Sequence, residues 1–160
     1  MDMSALSGST GCLSAVTLAA GTTTTVTSTG AIVYAINGKA YTAAALSNTA
    51  HPTTDANTAA AFVGVAIGYG SVFVYGLNAA KSLLCVQGSV DALDGSYNFA
   101  SAPRSPAYPA DFCPIGYLTI KAGSGSSTWT AATSNQAAAT GITYARQDVA
   151  LGMPSRLQIS

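Results

Sequence analysis

Apolar residues along this chain come in short runs separated by glycine-rich or polar breaks, and this pattern predicts strands. The stretch at 59–84 carries no charged residue before Lys81 and contains two such runs, at 62–67 and 72–75. The sequence Gly-Tyr-Gly-Ser at 68–71 separates them. Two apolar runs around a glycine-rich break predict a β-hairpin. We therefore expect this region to form the central hairpin of the fold.

A membrane helix is the alternative for the same region, because Gly64 and Gly68 have the spacing of a packed transmembrane segment. Four glycines interrupt the region, and each weakens a helix by about 1 kcal/mol relative to alanine. No basic cluster flanks it to set an orientation. The hairpin is therefore favoured, and no membrane partner is expected.

A second hairpin is predicted at Asn37-Gly38, which joins the apolar runs 31–36 and 39–42. Asn-Gly is the preferred two-residue turn, since both positions tolerate positive φ. Residues 22–28 are almost all threonine around Val26 and suit a solvent-facing or edge strand. Further strands are predicted at 83–88, at 115–120, around Trp129 after a turn at 123–127, and at 140–145.

No segment of useful length has helical periodicity, so the sequence predicts an all-β fold. About eight to ten short strands with turns between them are typical of an antiparallel β-sandwich or jelly roll. Residues 1–21 are rich in Ser, Gly and Ala and are expected to form an extended N-terminal arm, with residues 22–160 as a single β-sandwich domain. Such an arm can add a strand to a neighbour's sheet.

The composition limits the classes of partner. Charged residues make up 8% of the 160 residues, against about 25% in an average soluble protein. The formal net charge is zero and neither sign clusters, so nucleic acid and anionic membranes are not expected partners. A neutral surface of small residues resists self-association poorly. It suits coat, shell, pilus and fibre subunits, whose surfaces are covered by neighbours.

Candidate chemistry is sparse. The chain has one histidine, His51, no glutamate, and three cysteines without a CxxC pair. No zinc-ligand set or nucleophile with a base can be assembled, so we expect no catalytic, cofactor or metal site and no enzyme. His51 is expected to be a solvated loop residue and the cysteines to be small buried or half-buried thiols. Asp91 and Asp94 are expected to stabilise a turn.

Five residues are the candidate interface anchors. Leu13, Val16 and Leu18 are the expected anchors of the arm, and Tyr108 lies in the proline-rich crossing at 102–114. Trp129 is either a core anchor or an exposed platform for a sugar or a partner subunit. The first basic residue is Lys39, so no secretory signal is expected and synthesis in a cytoplasm is inferred.

Several segments resemble small virion structural proteins of tailed bacteriophages, of the capsid decoration or cement type. The segments that carry the resemblance are LSNTAHPTTDANT at 46–58, VFVYGLNAAKSLLCVQG at 72–88, CPIGYLTIK at 113–121, TWT at 128–130 and TGITY at 140–144. The resemblance implies a β-sandwich or jelly-roll module that binds the outside of the capsid shell and stabilises it. It implies no catalytic residue to carry over.

The resemblance also implies the partners: the major capsid protein of the shell, and further copies of the chain in a homo-oligomer, typically a trimer. The expected location is the outer capsid surface of a virion, after synthesis in the host cytoplasm. The alternative is a binding module on a phage fibre or tail that recognises a surface carbohydrate through Trp129 and some of the eight tyrosines.

Overall fold

The protein is all-β, as predicted. The structure is a computed structural model and describes residues 8–149. No helix forms in that range, and the sheets are antiparallel with 42% of residues in strands. The strands of the described range are β1 (Gly11–Cys12), β2 (Ala19–Ala20), β3 (Thr25–Thr27), β4 (Ile32–Ile36), β5 (Lys39–Ala43), β6 (Thr49–Ala50), β7 (Tyr69–Leu77), β8 (Leu83–Gln87), β9 (Asp91–Ala92), β10 (Cys113–Ala122) and β11 (Ile142–Asp148).

The largest sheet has five strands in the order β11-β10-β7-β8, and β9 pairs with the beginning of β7. Its centre is formed by β7 and β10, whose residues are buried almost without interruption. Apolar residues predominate in both strands, although β7 includes Gly70 and Ser71 and β10 includes Thr119 and Lys121. The sheet is therefore covered by other parts of the chain on both sides.

Two three-stranded sheets have the orders β1-β4-β5 and β2-β3-β6. The predicted hairpin at Asn37-Gly38 is confirmed, because β4 and β5 pair directly across it from Ile36↔Lys39 onwards. Both turn residues have positive φ, 50° for Asn37 and 79° for Gly38. This is the conformation for which the Asn-Gly pair is suited.

Alternate side chains of β7 enter two different cores, as the period of a strand requires. Phe73, Tyr75 and Leu77 lie in a large core shared with the smaller sheets, whereas Val72 and Val74 lie in a second core on the other face. The large core also contains the buried residues Cys12, Val16, Leu18, Val26, Ile32, Tyr34, Phe62, Val65, Leu118, Ile120 and Trp129. Sheets facing each other across a shared core are consistent with the predicted β-sandwich.

The predicted central hairpin is wrong. Residues 69–77 form one continuous strand, β7, and residues 62–67 make only isolated bridges, such as Val65↔Trp129. Gly70 lies inside β7. A side chain is excluded at this position, because a Cβ would come within 2.4 Å of the Phe99 ring. A glycine within a strand can mark a close approach as well as a turn, and the sequence does not distinguish the two.

Two other strand predictions need correction. β3 lies in the middle of its small sheet, between β2 and β6, so the edge alternative for the threonine-rich segment is wrong, while Thr25 and Thr27 are half-buried around the buried Val26. Trp129 lies in the connection between β10 and β11, and the return strand next to β10 is β11. The predicted strands at 83–88, 115–120 and 140–145 form as β8, β10 and β11, with shifted ends.

Residues 8–21 lie against the chain's own strands. β1 pairs with β4, β2 pairs with β3, and Val16 and Leu18 enter the large core. Residues 1–7 of the predicted arm and residues 150–160 of the predicted domain lie outside the described residues. The extended arm and the jelly-roll topology stay predictions.

Candidate interaction surface

Exposed apolar side chains concentrate in one segment, residues 59–69, which we call the apolar segment. Among residues 8–149 the exposed large hydrophobic side chains are Val33, Val63, Ile67 and Tyr69. Val63 is 62% exposed, Ile67 49% and Tyr69 44%, and these three lie within seven residues of the sequence. No charged residue occurs between Asp55 and Lys81. A concentration of exposed apolar residues without charge is typical of an interaction site.

The apolar segment is held in place by its inward-facing residues. Phe62 and Val65 are buried in the large core. Val65 exchanges backbone hydrogen bonds with Trp129, of 2.8 Å from the Val65 N–H and 2.9 Å from the Trp129 N–H. The fold therefore fixes the backbone while the side chains of Val63 and Ile67 point away from the core.

A side chain of β8 secures the start of the same segment. The Gln87 side-chain oxygen accepts from the Val63 N–H at 2.8 Å, and its amide nitrogen donates to the Val63 carbonyl, also at 2.8 Å. At the other end the Gly68 N–H donates to the Ala122 carbonyl at 2.8 Å. The exposed residues are thus presented from a fixed backbone, which lowers the entropy lost on binding.

Three of the five predicted interface anchors lie in the chain's own core. Val16, Leu18 and Trp129 are buried there and support the fold of the single chain. Leu13 is half-buried, and its N–H donates to the Val33 carbonyl. Tyr108 is half-buried and stacks on Phe112, beside the second core. The five residues are therefore not brought together, and their place in an interface stays a prediction.

Trp129 is a core anchor, which was one of its two predicted roles. The side chain is 1% exposed and packs edge-on against Phe73, with ring centroids 5.3 Å apart. Its indole N–H donates to the Asn135 carbonyl at 3.0 Å. A buried indole with its polar atom satisfied gains stability from packing and offers no open face for a sugar.

His51 is buried, so the prediction of a solvated loop histidine is wrong. Its side chain is 4% exposed and makes edge contacts with the rings of Phe62 and Tyr75. The loop is drawn inwards because the His51 N–H donates to the Thr24 carbonyl at 3.2 Å. Nδ1 lies 2.6 Å from the Pro52 carbonyl, whereas Nε2 has no hydrogen-bond partner among residues 8–149. Burial lowers the pKa of His51.

The carboxylates of Asp55 and Asp94 organise turns and loops. Asp55 accepts from the N–H groups of Asn57, Thr58 and Gln87 at 2.6–2.9 Å. The predicted turn at Asp94 is confirmed, because its carboxylate accepts from the N–H groups of Ser96 and Asn98. Side chains that satisfy backbone donors in this way have a structural role.

The three cysteines are free and buried, as predicted. Burial raises the pKa of all three thiols, that of Cys113 to about 12. Within residues 8–149 no three His, Cys, Asp or Glu side chains are placed to hold a metal ion together. The same range contains no helix with the length and apolar character needed to cross a membrane.

Two open grooves lie on the described surface. One, of about 430 Å³, is lined by Asp91, Phe99 and Arg104 among others, and the other, of about 450 Å³, by Lys39 and Asp111 among others. Neither groove places a nucleophile beside a general base.

Val63 and Ile67 were predicted as part of a buried strand, and Tyr69 as part of the break at 68–71, so the exposure of these side chains was not predicted. The sequence carries no local signal for it, because apolar runs without charge also occur elsewhere in the chain. No family model matches the chain, and neither a curated protein nor a solved structure is significantly similar to it.

Proposed function

We propose that the protein is a non-enzymatic virion structural protein of a tailed bacteriophage. In this proposal it binds the outside of the capsid shell as a homo-oligomer, a trimer, and stabilises the shell. Its partners are the major capsid protein and further copies of itself, with no nucleic acid and no membrane. It is made in the host cytoplasm and resides on the outer capsid surface of the virion.

The observation that carries the proposal is the apolar segment. Val63, Ile67 and Tyr69 expose large apolar side chains from a fixed backbone in a region without charge. When a partner covers such side chains, the free energy falls by about 25 cal/mol per Å² of apolar surface removed from water. A shell with many identical sites provides such a partner at high local concentration.

The positions of the potentially reactive side chains support the same proposal. The only histidine and all three cysteines are buried, and the carboxylates of Asp55 and Asp94 are occupied by backbone N–H groups. A stabilising subunit needs a stable fold and a complementary surface, and no reactive group.

The alternative, a fibre- or tail-associated module that recognises a carbohydrate, depended on Trp129. That side chain is covered by the large core. Tyr69 is the exposed aromatic residue that would have to replace it, and a single ring makes a small stacking platform. We therefore favour the capsid proposal.

The experiment compares Val63→Asp with Ala44→Asp for binding to phage shells that lack the protein. Both positions are exposed, and both variants add one negative charge, so they differ in the surface that they alter. A charge buried at an interface without a partner is costly. Val63→Asp should lower the affinity for shells at least about tenfold, which corresponds to 1.4 kcal/mol.

Ala44→Asp should bind shells about as well as the unaltered protein. Equal binding by both variants would show that the apolar segment is not the contact. If the unaltered protein binds no shell, the capsid proposal fails, and binding to a glycan array would support the carbohydrate module.

A further inference from the structure

Strand β11 forms one edge of the five-stranded sheet. It comprises seven residues, Ile142–Asp148, and pairs with β10 from Gly116↔Asp148 to Ala122↔Ile142. No other strand of residues 8–149 pairs with it. The direction of its outer backbone groups follows from the hydrogen bonds at the two ends of this pairing.

Those end bonds fix which residues of β11 face β10. The Val149 N–H donates to the Ile115 carbonyl at 3.1 Å, and the Gly123 N–H donates to the Gly141 carbonyl at 2.8 Å. In an antiparallel pair, hydrogen-bonded and non-hydrogen-bonded positions alternate. The hydrogen-bonded positions of β11 are therefore Thr143, Ala145 and Gln147.

The intervening residues direct their backbone groups away from the sheet. Tyr144 and Arg146 each offer an outward N–H and an outward carbonyl, and Asp148 continues the series at the end of the strand. A strand edge of this kind is a template for a further strand.

The opposite edge of the sheet is closed by the chain itself. Along β8 the Ala56 N–H donates to the Cys85 carbonyl at 2.8 Å, and the Asp55 carboxylate accepts from the Gln87 N–H at 2.6 Å. β11 has no proline, glycine or lysine. Its two charged side chains are engaged by the chain itself, since Arg146 donates to the Gln136 carbonyl and Asp148 accepts from the N–H groups of Thr17 and Leu18. The outer backbone groups of β8 are thus bonded within the chain, whereas no described strand pairs with the outer backbone groups of β11.

We propose that β11 pairs with β11 of a second copy of the chain, antiparallel about a two-fold axis. Ala145 lies at the axis, facing Ala145 of the second copy. The proposal rests on the homo-oligomer in the proposed function and adds a defined surface to it. It extends the five-stranded sheet into a continuous sheet across two copies.

The register follows from hydrogen bonding and charge. Outward residues must face outward residues, and centring on Ala145 places Tyr144 opposite Arg146 with all seven residues overlapping. Centring on Arg146 would place two guanidinium groups opposite each other, which is unfavourable. Centring on Tyr144 would pair about five residues of each strand, residues 142–146, and leave the end of β11 without a partner.

The chosen register also suits the side chains. Arg146 already lies 5.5 Å from the centre of its own Tyr144 ring. Across the axis each guanidinium gains the Tyr144 ring of the other copy as a neighbour, and a cation over an aromatic ring is attracted to it. The pair has no like charges opposite each other.

A two-fold contact cannot close a trimer, because a trimer needs two different surfaces at each contact. The β11 contact would instead join one trimer to the next. On a shell that carries trimers at neighbouring positions, such contacts would link them into an outer network.

Crosslinking tests the pairing, with Ala145→Cys as the probe and Thr143→Cys as its control. Facing residues in a non-hydrogen-bonded pair have Cα atoms about 4.5 Å apart, within the disulfide range of about 4.4–6.8 Å. Thr143 lies on the same face of the same strand but would face Gln147. The native cysteines are buried and should contribute little background.

Oxidised glutathione serves as the oxidant, taking up two electrons and two protons as two thiols become one disulfide. Ala145→Cys should form a covalent dimer at least about tenfold faster than Thr143→Cys, since only its thiols face each other. Equal rates, or no dimer of Ala145→Cys, would overturn the inference.

A second pair of variants tests the backbone directly. Arg146→Pro removes the side chain and the outward N–H, whereas Arg146→Ala removes the side chain alone. Proline is tolerated on an edge strand where its nitrogen faces outwards. In sedimentation experiments without shells, Arg146→Ala should retain association beyond the trimer, whereas Arg146→Pro should sediment as the isolated trimer. Equal self-association of the two variants would contradict the pairing.

Hydrogen exchange covers the case in which a variant does not fold. In the unaltered protein the amides of Tyr144 and Arg146 should become protected as concentration rises, whereas those of Thr143, Ala145 and Gln147 are protected throughout. Protection of all five at every concentration would mean that the same chain covers the edge, and it would overturn the inference.

The outcomes separate this inference from the proposed function. A protein that binds shells and shows no β11 crosslink retains the proposed function and loses the inference. A protein that crosslinks through Ala145 and binds no shell retains the inference and loses the capsid partner.

Discussion

The Asp148 carboxylate accepts the backbone N–H of Leu18 at 2.7 Å, joining the beginning of the described chain to the end of its last strand. The other carboxylate oxygen accepts from the Thr17 N–H at 2.6 Å. Thr17 has a positive φ of 49°, which is uncommon for a residue with a side chain. The carboxylate thus holds a strained turn and positions Leu18 in the large core.

Asp148→Ala should therefore lower the free energy of unfolding. Two N–H groups lose a charged acceptor, and the expected cost is about 1–3 kcal/mol. Urea unfolding measures it. Asp91→Ala is the control, because the Asp91 carboxylate accepts from the exposed hydroxyl of Ser89. Equal effects of the two substitutions would mean that the contact to Leu18 contributes nothing.

Trp129→Ala should destabilise the fold by about 3–5 kcal/mol, the usual cost of truncating a large aromatic residue in a core. Trp129→Phe should cost less, because it keeps most of the ring packing and loses the hydrogen bond to Asn135. Tyr69→Ala, at an exposed position, should change stability by about 0.5 kcal/mol or less. Chemical denaturation measures all three. A folded Trp129→Phe variant that specifically loses glycan binding would revive the carbohydrate alternative.

His51 should make the fold sensitive to acid. Its pKa is lowered in the folded state, so the unfolded chain binds the proton more strongly. Stability is then fully present above the unfolded pKa of about 6.5 and declines as the pH falls below it. Urea midpoints at about pH 7.5 and 5.5 measure the decline.

His51→Phe is the matched variant for this test. It keeps an aromatic ring beside Phe62 and Tyr75 and cannot take up a proton. The loss of stability between the two pH values should be smaller in His51→Phe than in the unaltered protein. An equal loss in both would show that another group determines the acid sensitivity.

Gly76→Ala should destabilise the five-stranded sheet. A Cβ at Gly76 would come within 2.5 Å of the Phe112 ring and 2.7 Å of the Cys113 carbonyl oxygen. The backbone of β10 cannot retreat without breaking its pairing, so a cost of about 1–3 kcal/mol is expected. Gly95→Ala is the control, since a Cβ there meets no atom within 4 Å. Thermal unfolding of the two variants makes the comparison, and equal midpoints would contradict it.

The all-β class, the Asn37-Gly38 hairpin and the buried thiols could be predicted because each depends on local chemistry. The Asn-Gly turn requires positive φ at adjacent residues, and few other residue pairs supply it. The segments 72–75 and 115–120 were likewise predicted as strands, and they form the interior of β7 and β10.

The errors arose where tertiary contacts override the local pattern. Gly70 was taken for a turn residue and is a point of close contact with Phe99. His51 lies in a polar segment and is drawn inwards by a bond to Thr24 and by two aromatic neighbours. The exposure of Val63 depends on the anchoring of Val65 opposite Trp129, and sequence spacing does not reveal that pairing.

The most direct test of the capsid proposal is to add the purified protein to expanded phage shells that lack it. Occupancy per shell and the temperature at which shells rupture are measured together. The proposal predicts saturable, stoichiometric occupancy at symmetry-related sites and a higher rupture temperature. Shells that remain unoccupied, or that rupture at the same temperature when fully occupied, would contradict it.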